Sequence, residues 1–173
     1  MVGVQVLPVE GAQWFVAGTC IVNVTESTII GDVNKDGIVN STDIGILIDC
    51  FQGRDDLSKY SFKNADANQD GLVNWYDVNY LINNVVHLGF STTKFPGNYG
   101  AMTVGQRDNF IRVVTPASEA SNSYCKLVWT SSNPAVATVD SNGYVTAVSA
   151  GKASITSSIL NGYYSSGSQV IVS

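Results

Sequence analysis

Charged residues are scarce in this chain, and basic residues are the scarcest. Only 9 of the 173 residues are Lys or Arg, against 14 Asp or Glu, and the basic residues are scattered singly. A nucleic-acid-binding protein needs a basic patch to neutralise phosphates, so the sequence does not support that class of function. There is a single histidine, His87, whereas catalysis needs several convergent acids, bases or nucleophiles. An enzyme is therefore not expected.

Long apolar segments and paired cysteines are also lacking. Runs such as 20–24 fall far short of the roughly 20 residues that a membrane helix requires. The chain does not start with a basic segment and a long apolar core, so we expect any secretion signal to lie upstream in a longer protein. The three cysteines, an odd number, fit neither a disulfide framework nor a compact zinc site. We expect all three cysteines to be buried thiols. The alternative is a disulfide between Cys20 and Cys125.

What the chain does contain is an internal repeat with a period of 34 residues. The segment DVNKDGIVN at 32–40 corresponds to DANQDGLVN at 66–74, and apolar residues at i, i+3, i+4 and i+7 follow each copy. Each copy is therefore predicted to be a loop followed by an amphipathic helix, and we call 32–51 the first repeat and 66–85 the second repeat. The residues predicted to face the core are Ile44, Leu47, Ile48, Phe51, Val78, Leu81, Ile82 and Val85.

The repeated loops have the spacing of calcium ligands. A 12-residue loop can give Ca²⁺ its oxygen ligands from positions 1, 3, 5, 7 and 12, with a glycine at position 6. Loops 32–43 and 66–77 follow this pattern, with Gly37 and Gly71 at position 6 and Asp instead of Glu at position 12. We predict two bound Ca²⁺, with Ile38 and Leu72 contributing main-chain carbonyls, and the ligands are Asp32, Asn34, Asp36, Ile38, Asp43, Asp66, Asn68, Asp70, Leu72 and Asp77.

The loops have one alternative explanation besides calcium binding. Acidic, Asn-rich turns can be merely solvated, but two copies in register favour the calcium interpretation. Without metal the clustered carboxylates repel one another, so we expect folding of 31–90 to be coupled to Ca²⁺ binding. No helix is predicted before either loop, and 52–65 is predicted to be a polar linker with one helical turn.

From about residue 91 the chain changes to short β-branched runs separated by turn residues. The pair Asn142-Gly143, common in type I′ hairpins, lies between two of these runs. Short, closely spaced strands favour an antiparallel β-sandwich. Residues 2–9 and 14–24 also look like strands, which pair elsewhere or belong to a preceding module. The strands predicted for the β-rich part are 111–114, 126–130, 136–139, 144–148, 153–156 and 169–172.

Residues 31–90, with GDVNKDGIVNSTDIGILI and NADANQDGLVNWYDVNYLI, resemble a dockerin, the module that attaches enzymes and scaffold proteins to the cohesin domains of cellulosomes. The resemblance implies three helices, two loop–helix half-EF-hands holding two Ca²⁺, and binding of a cohesin. In dockerins, loop positions 10 and 11 help to select the cohesin. Here those positions differ sharply between the repeats, which favours one preferred face: Ser41 and Thr42 in the first, Trp75 and Tyr76 in the second.

These four residues also have ordinary structural explanations. Ser41 is a suitable helix cap. Trp75 or Tyr76 could instead pack on the N-terminal strands or on the linker, although exposed aromatic residues of this kind often dominate interface energies.

The stretch VWTSSNPAVATVDSNGYVTAVSAGKASIT, within about 92–173, resembles the bacterial Ig-like group 2 domain. The resemblance implies a small β-sandwich that serves as a spacer or adhesion unit and has no active site. The core residues it implies are Trp129, Val139, Val145, Ala147 and Ile155.

The sequence thus predicts a multidomain chain, α followed by all-β: an N-terminal β segment (1–30), a three-helix dockerin (31–90) and an Ig-like antiparallel β-sandwich (91–173). We predict a non-catalytic, calcium-dependent assembly module of an extracellular bacterial protein, secreted or surface-associated. It would bind a cohesin and attach its parent protein to a cellulosome or cell-surface scaffold for polysaccharide degradation, with any catalytic domain elsewhere in that parent. The alternative is a surface adhesion or carbohydrate-binding fragment with purely structural calcium loops, and its sugar platforms would be Trp14, Trp75, Trp129, Tyr163 and Tyr164.

Overall fold

The computed structural model describes residues 28–173 and, as backbone only, two short segments before them. These segments are the strands β1 (Val4–Val6) and β2 (Cys20–Val22), which pair in parallel. Trp14 and the rest of the predicted strands 2–9 and 14–24 lie outside the described residues, so the role of the N-terminal segment stays a prediction. No helix in the described parts of the chain is long and apolar enough to cross a membrane.

The two predicted loop–helix repeats form a helical unit, residues 28–88. Each main helix begins at an Asn whose side chain accepts a hydrogen bond from the first turn, while an Asp in that turn accepts one from the Asn backbone. These capping boxes, Asn40 with Asp43 and Asn74 with Asp77, fix where the helices start. The helices are α1 (Ser41–Phe51), α2 (Phe62–Ala65) and α3 (Trp75–Tyr80), which continues as a π-helical turn (Leu81–Val85).

The π-helical turn changes which residue faces the core. Val86 N–H donates to the carbonyl of Leu81, an i to i+5 hydrogen bond of 2.8 Å. The extra residue in the turn rotates the chain relative to an α-helix. Val86 is therefore buried, whereas Val85 is 40% exposed and its predicted core position is wrong. The other predicted core residues of both helices are buried or half-buried, as expected.

The segment 52–65 is more ordered than a linker. It contains a 3₁₀ turn, Leu57–Lys59, and the single helical turn α2, which leads directly into the second loop. The prediction that no helix precedes either loop is therefore wrong for the second one, because one turn is too short to show a helical period. Asn64 ties α2 to the first loop: its carbonyl accepts from Gly31 N–H at 2.8 Å, and its Nδ2 donates to the Asp32 carbonyl at 2.7 Å.

Residues 89–173 form a β unit. The sheet orders are β4-β11-β10-β7, β3-β6 and β5-β9-β8. All pairs are antiparallel except β4 with β11, which is parallel. All six predicted strands are present, the first four with small shifts and the last two, 153–156 and 169–172, as parts of longer strands of nine residues each. Three short or polar strands were not predicted. The strands are β3 (Gly89–Lys94), β4 (Ala101–Met102), β5 (Arg107–Asn109), β6 (Ile111–Thr115), β7 (Val128–Ser131), β8 (Ala137–Val139), β9 (Tyr144–Ala147), β10 (Gly151–Ile159) and β11 (Tyr164–Val172).

The predicted hairpin between β8 and β9 is present, but its turn is not type I′. The loop has four residues, and Gly143 N–H donates to the Asp140 carbonyl at 3.0 Å. Only Gly143 has a positive φ, +80°, whereas a type I′ turn needs two such residues. A Cβ at Gly143 would lie 2.6 Å from the Phe110 carbonyl oxygen, so this position also requires a close backbone approach.

Two apolar clusters hold the structure together. One lies inside the β unit and contains the five predicted core residues, three fully buried and Trp129 and Val139 half-buried. The other is the core of the helical unit, and it continues into the β unit without a break. The residues through which the β unit joins this shared core are Val114, Cys125, Ile159, Leu160, Phe90, Tyr124, Leu127, Tyr163 and Tyr164.

Candidate functional site

The two predicted calcium loops have the same internal hydrogen bonds. The Asp32 carboxylate accepts from the amides of Asp36 (3.1 Å) and Gly37 (3.0 Å). The Asp66 carboxylate accepts from the two equivalent amides at 3.0 and 2.9 Å. In each loop the Asn at position 3 also accepts from the position 5 amide at 2.9 Å. The first, third and fifth positions are thereby drawn to one side of each loop.

The acid at position 12 is buried in both loops. Asp43 and Asp77 have no exposed surface, and each carboxylate joins the loop to the start of the following helix. Burial, with a smaller contribution from the nearby Asp32 carboxylate, raises the pKa of Asp43 to about 6, although its backbone hydrogen bonds act in the opposite direction. The amides that donate to these two carboxylates are those of Val33 (2.8 Å), Asn34 (3.2 Å), Asn40 (3.0 Å), Asn68 (3.2 Å) and Asn74 (2.8 Å).

The loop backbone also repeats. Lys35 and Gln69 at position 4 have φ of 62° and 60°, and Gly37 and Gly71 at position 6 have φ of 89° and 88°. Among the described residues, no three His, Cys, Asp or Glu side chains converge as a metal site on their own. The predicted donor set of each loop is mixed, with one Asn amide oxygen and one main-chain carbonyl beside three carboxylates. Such an all-oxygen set suits Ca²⁺.

The predicted partner-binding residues of the first repeat are covered by the β unit. Ser41 is fully buried, and both its N–H (3.0 Å) and its hydroxyl donate to Glu119 Oε2. Thr42 Oγ1 accepts from Asn122 Nδ2 at 2.8 Å. The capping role weighed for Ser41 is taken by Asn40.

The corresponding residues of the second repeat are more open. Tyr76 is 73% exposed and is the freer of the two. Trp75 is 39% exposed, because Tyr163 stacks on it at 5.1 Å between ring centroids and Phe51 meets it edge-on at 5.0 Å. Trp75 therefore packs between Tyr163 of the β unit and Phe51 at the end of α1.

Two family models match this chain, one in each of the two units. The model for the dockerin type I domain matches residues 30–86, and the model for the bacterial Ig-like domain (group 2) matches residues 101–158. This chain carries a type I dockerin followed by an Ig-like domain. Dockerins bind cohesins and generally bind calcium, and neither module is catalytic. Both modules are typical of extracellular proteins.

The individual proteins to which the chain is similar are only partial matches. An uncharacterized protein of Clostridium acetobutylicum is 34% identical over 73 residues, which cover 42% of this chain and 17% of that protein. The chain thus spans about a sixth of that relative's length. A GH10 xylanase with a bacterial Ig-like domain, from termite gut, is 28% identical with a TM-score of 0.32, covering 42% of this chain and 18% of the xylanase. An intimin mutant of EHEC O157:H7 is 15% identical with a TM-score of 0.35, covering 49% and 45% of the two chains.

Of the five aromatic residues predicted as possible sugar platforms, the four within the described residues contact other aromatic rings, and Trp14 lies outside that part of the chain. Trp75 and Tyr163 stack on each other, Tyr164 lies 5.2 Å from Phe90, and Trp129 lies 5.2 Å from Phe110. A sugar platform needs a free ring face. These contacts therefore weigh against the carbohydrate-binding interpretation.

Four residues of the Ig-like domain that contact α1 were not predicted. Besides Glu119 and Asn122, Tyr124 Oη donates to Asp49 Oδ2 at 2.9 Å, and Asn161 Nδ2 donates to Asp49 Oδ1 at 2.8 Å. Nothing in the local sequence marks them, because their partners are 75 or more residues away in the chain. Cys125, beside Ser41, is a free and buried thiol, and so the alternative Cys20–Cys125 bridge is not present.

Proposed function

We propose that this chain is a calcium-dependent, non-catalytic assembly module that binds a cohesin domain. It attaches its parent protein to a cellulosome or cell-surface scaffold for polysaccharide degradation, outside a bacterial cell. The observation that carries the proposal is the dockerin match over residues 30–86, which contains both acidic loops. The proposed division is an N-terminal β segment (1–30), a dockerin (31–90) and an Ig-like domain (91–173).

The proposed calcium ligands are the ten residues predicted from the loop spacing. Bound Ca²⁺ supplies positive charge that removes the repulsion between carboxylates such as Asp32 and Asp43. Asp43 and Asp77 do the positioning, because each joins its loop to the first turn of the next helix. Ile38 and Leu72 have exposed, apolar side chains that cannot coordinate an ion. Their proposed ligands are therefore the main-chain carbonyl oxygens.

The proposed partner surface lies on the second repeat. Tyr76 offers an exposed aromatic ring with a hydroxyl group, the kind of side chain that anchors protein interfaces. The exposed edge of Trp75 lies next to it. Ser41 and Thr42, the equivalent pair of the first repeat, are occupied by the Ig-like domain.

Calorimetric titration of this chain against a panel of cohesins, in Ca²⁺ and in EDTA, tests the proposal. We expect tight binding to a cohesin in Ca²⁺ and none in EDTA. The double variant Asp36→Ala, Asp70→Ala removes one exposed acid from each loop and should weaken binding at limiting Ca²⁺. Asp140→Ala is the matched control, because it removes an exposed acid of the Ig-like domain that pairs with Arg107.

Two results would contradict the proposal. One is the absence of binding to every cohesin while Ca²⁺ still raises the melting temperature, which would leave the loops as structural elements. The other is retention of the chain on a polysaccharide column without any cohesin, which would favour adhesion or carbohydrate binding.

A further inference from the structure

The two repeats share one sequence pattern but not one environment. In α1 no residue is exposed. The least buried residues are half-buried, and all the others are buried: the half-buried ones are Thr42, Asp49, Cys50 and Phe51. In α3 and its π-helical extension the outward positions are open to solvent. The exposed residues there are Trp75, Tyr76, Asn79, Tyr80, Asn83, Asn84 and Val85.

What covers α1 is the Ig-like domain. The four residues of this domain that hydrogen-bond to α1 lie in or next to three short 3₁₀ turns. These turns are Ala117–Glu119, Ser123–Cys125 and Leu160–Gly162. These bonds run along the helix from its first turn, at Ser41, to its last, at Asp49. Because the same region shares an apolar core with the dockerin, the contact is a packed interface and not a loose domain junction.

The sequence of α1 is fitted to this cover. Gly45 lies in the middle of the helix, where glycine costs about 1 kcal/mol relative to alanine. A Cβ at Gly45 would lie 2.2 to 2.5 Å from three carbon atoms of the Tyr124 ring, so only glycine lets this ring lie on the helix. The equivalent residue 34 positions later is Asn79, which is exposed.

The open face of α3 has a defined chemistry. Its exposed side chains are aromatic, amide or aliphatic, and none of them is charged. Tyr76, Tyr80 and Val85 supply apolar area. Asn83 and Asn84 supply amide groups, whose Nδ2 atoms each donate one hydrogen bond to the carbonyl four residues earlier, at 2.8 and 3.2 Å, so their Oδ1 atoms face a partner as acceptors. Aromatic enrichment and depletion of charge are the features that distinguish the centre of an interface from an ordinary surface.

From this contrast we infer that the Ig-like domain is a fixed cover over the first repeat, so that a cohesin binds only through the second, at an uncharged face centred on Tyr76 and Tyr80. The inference rests on the proposed cohesin binding and makes it more specific. The partner must present an apolar surface with hydrogen-bonding groups opposite the Asn83 and Asn84 amides. Two similar repeats could in principle bind a cohesin in two orientations. Because the first repeat is covered, only one orientation is available.

Matched variants of the two repeats in the full chain test this inference. Tyr76→Ala, Tyr80→Ala should weaken the cohesin by roughly 100-fold or more, the size expected when two interface anchors are lost. Thr42→Ala, the counterpart of Tyr76 in the first repeat, should change affinity by less than about threefold, because that position is under the cover. If the second-repeat variant keeps tight binding, the first repeat is accessible and the inference is wrong. If the unaltered chain binds no cohesin, it is the proposed function that fails.

The cover itself can be tested without a cohesin. In a Cys20→Ser, Cys50→Ser background, Cys125 is the only thiol, and it is buried at the interface beside Ser41. We expect it to react with a thiol reagent at least about 100-fold more slowly in the folded chain than in urea, in Ca²⁺ and with or without cohesin. Labelling of the folded chain at the unfolded rate would show that the Ig-like domain does not stay on α1.

Discussion

Replacing Gly45 with alanine gives opposite results depending on whether the Ig-like domain sits on α1. On an uncovered helix, Gly45→Ala should stabilise the protein by about 1 kcal/mol, because alanine is the better helix former. Under the Tyr124 ring, the new methyl group forces the ring or the helix to move, and such overpacking costs about 1–3 kcal/mol. The net expectation in the unaltered chain is a loss of roughly 0–2 kcal/mol.

A double-mutant cycle with Tyr124→Ala isolates the contact. With the ring removed, Gly45→Ala should become stabilising by about 1 kcal/mol, so the coupling between the two positions should be about 1–3 kcal/mol. Urea unfolding in saturating Ca²⁺ measures both values. Asn79→Ala is the matched control on α3, where the replaced side chain is exposed and accepts only a 3.2 Å hydrogen bond from Tyr163. A gain of about 1 kcal/mol from Gly45→Ala in both backgrounds would refute the reasoning.

Three further predictions concern stability. Val86→Ala should cost about 2 kcal/mol, while Val85→Ala should change stability by less than about 0.5 kcal/mol, as measured by urea unfolding, and equal losses would contradict the π-helical register. Ca²⁺ at 100 times its dissociation constant should add about 2.7 kcal/mol per site, so EDTA should lower the melting temperature by several degrees, whereas an unchanged melting curve would count against the loops. Burial raises the pKa of Asp49, but hydrogen bonds from Arg54, Tyr124 and Asn161 outweigh it and hold the pKa below its ordinary value. The stability that Asp49 contributes is therefore present above the unfolded-state pKa and is lost as the pH falls through the lower, folded-state pKa. Asp49→Asn should reduce the difference in unfolding free energy between pH 7 and pH 3, and an unchanged difference would contradict this.

The local features of the dockerin could be predicted from its sequence because they depend on local spacing. The start of each helix follows from an Asn three residues before an Asp, and the repeated loop conformation follows from the Asp, Asn and Gly positions. The strands of the Ig-like domain were visible where β-branched residues dominate. Sequence patterns missed three strands, because each is too short or too polar to show a period of two: Gly89–Lys94, Ala101–Met102 and Arg107–Asn109.

The arrangement of the two domains could not be predicted, for a different reason. The bond between Ser41 and Glu119 joins residues 78 apart, and that between Asp49 and Asn161 joins residues 112 apart. Each partner looks like an ordinary polar surface residue in its own segment. Gly45 was the one local sign, since a glycine within a well-patterned helix often marks a close approach. The exposure of Val85 was missed because the sequence pattern was read with an α-helical period. The π-helical turn contains one more residue, so Val86 takes the core-facing position instead.

The shared hydrophobic core has a mechanical consequence. If a bound partner holds α3 while the C-terminal end of the chain is pulled, the load passes through the common core into the Ig-like sheets. Leu160 is fully buried in the 3₁₀ turn that connects the long antiparallel strands β10 and β11, and it belongs to that core. The dockerin therefore cannot be pulled off without disturbing the hairpin that these strands form. In a single-molecule pulling experiment the two modules should therefore give way in one event, not as two separate unfolding steps.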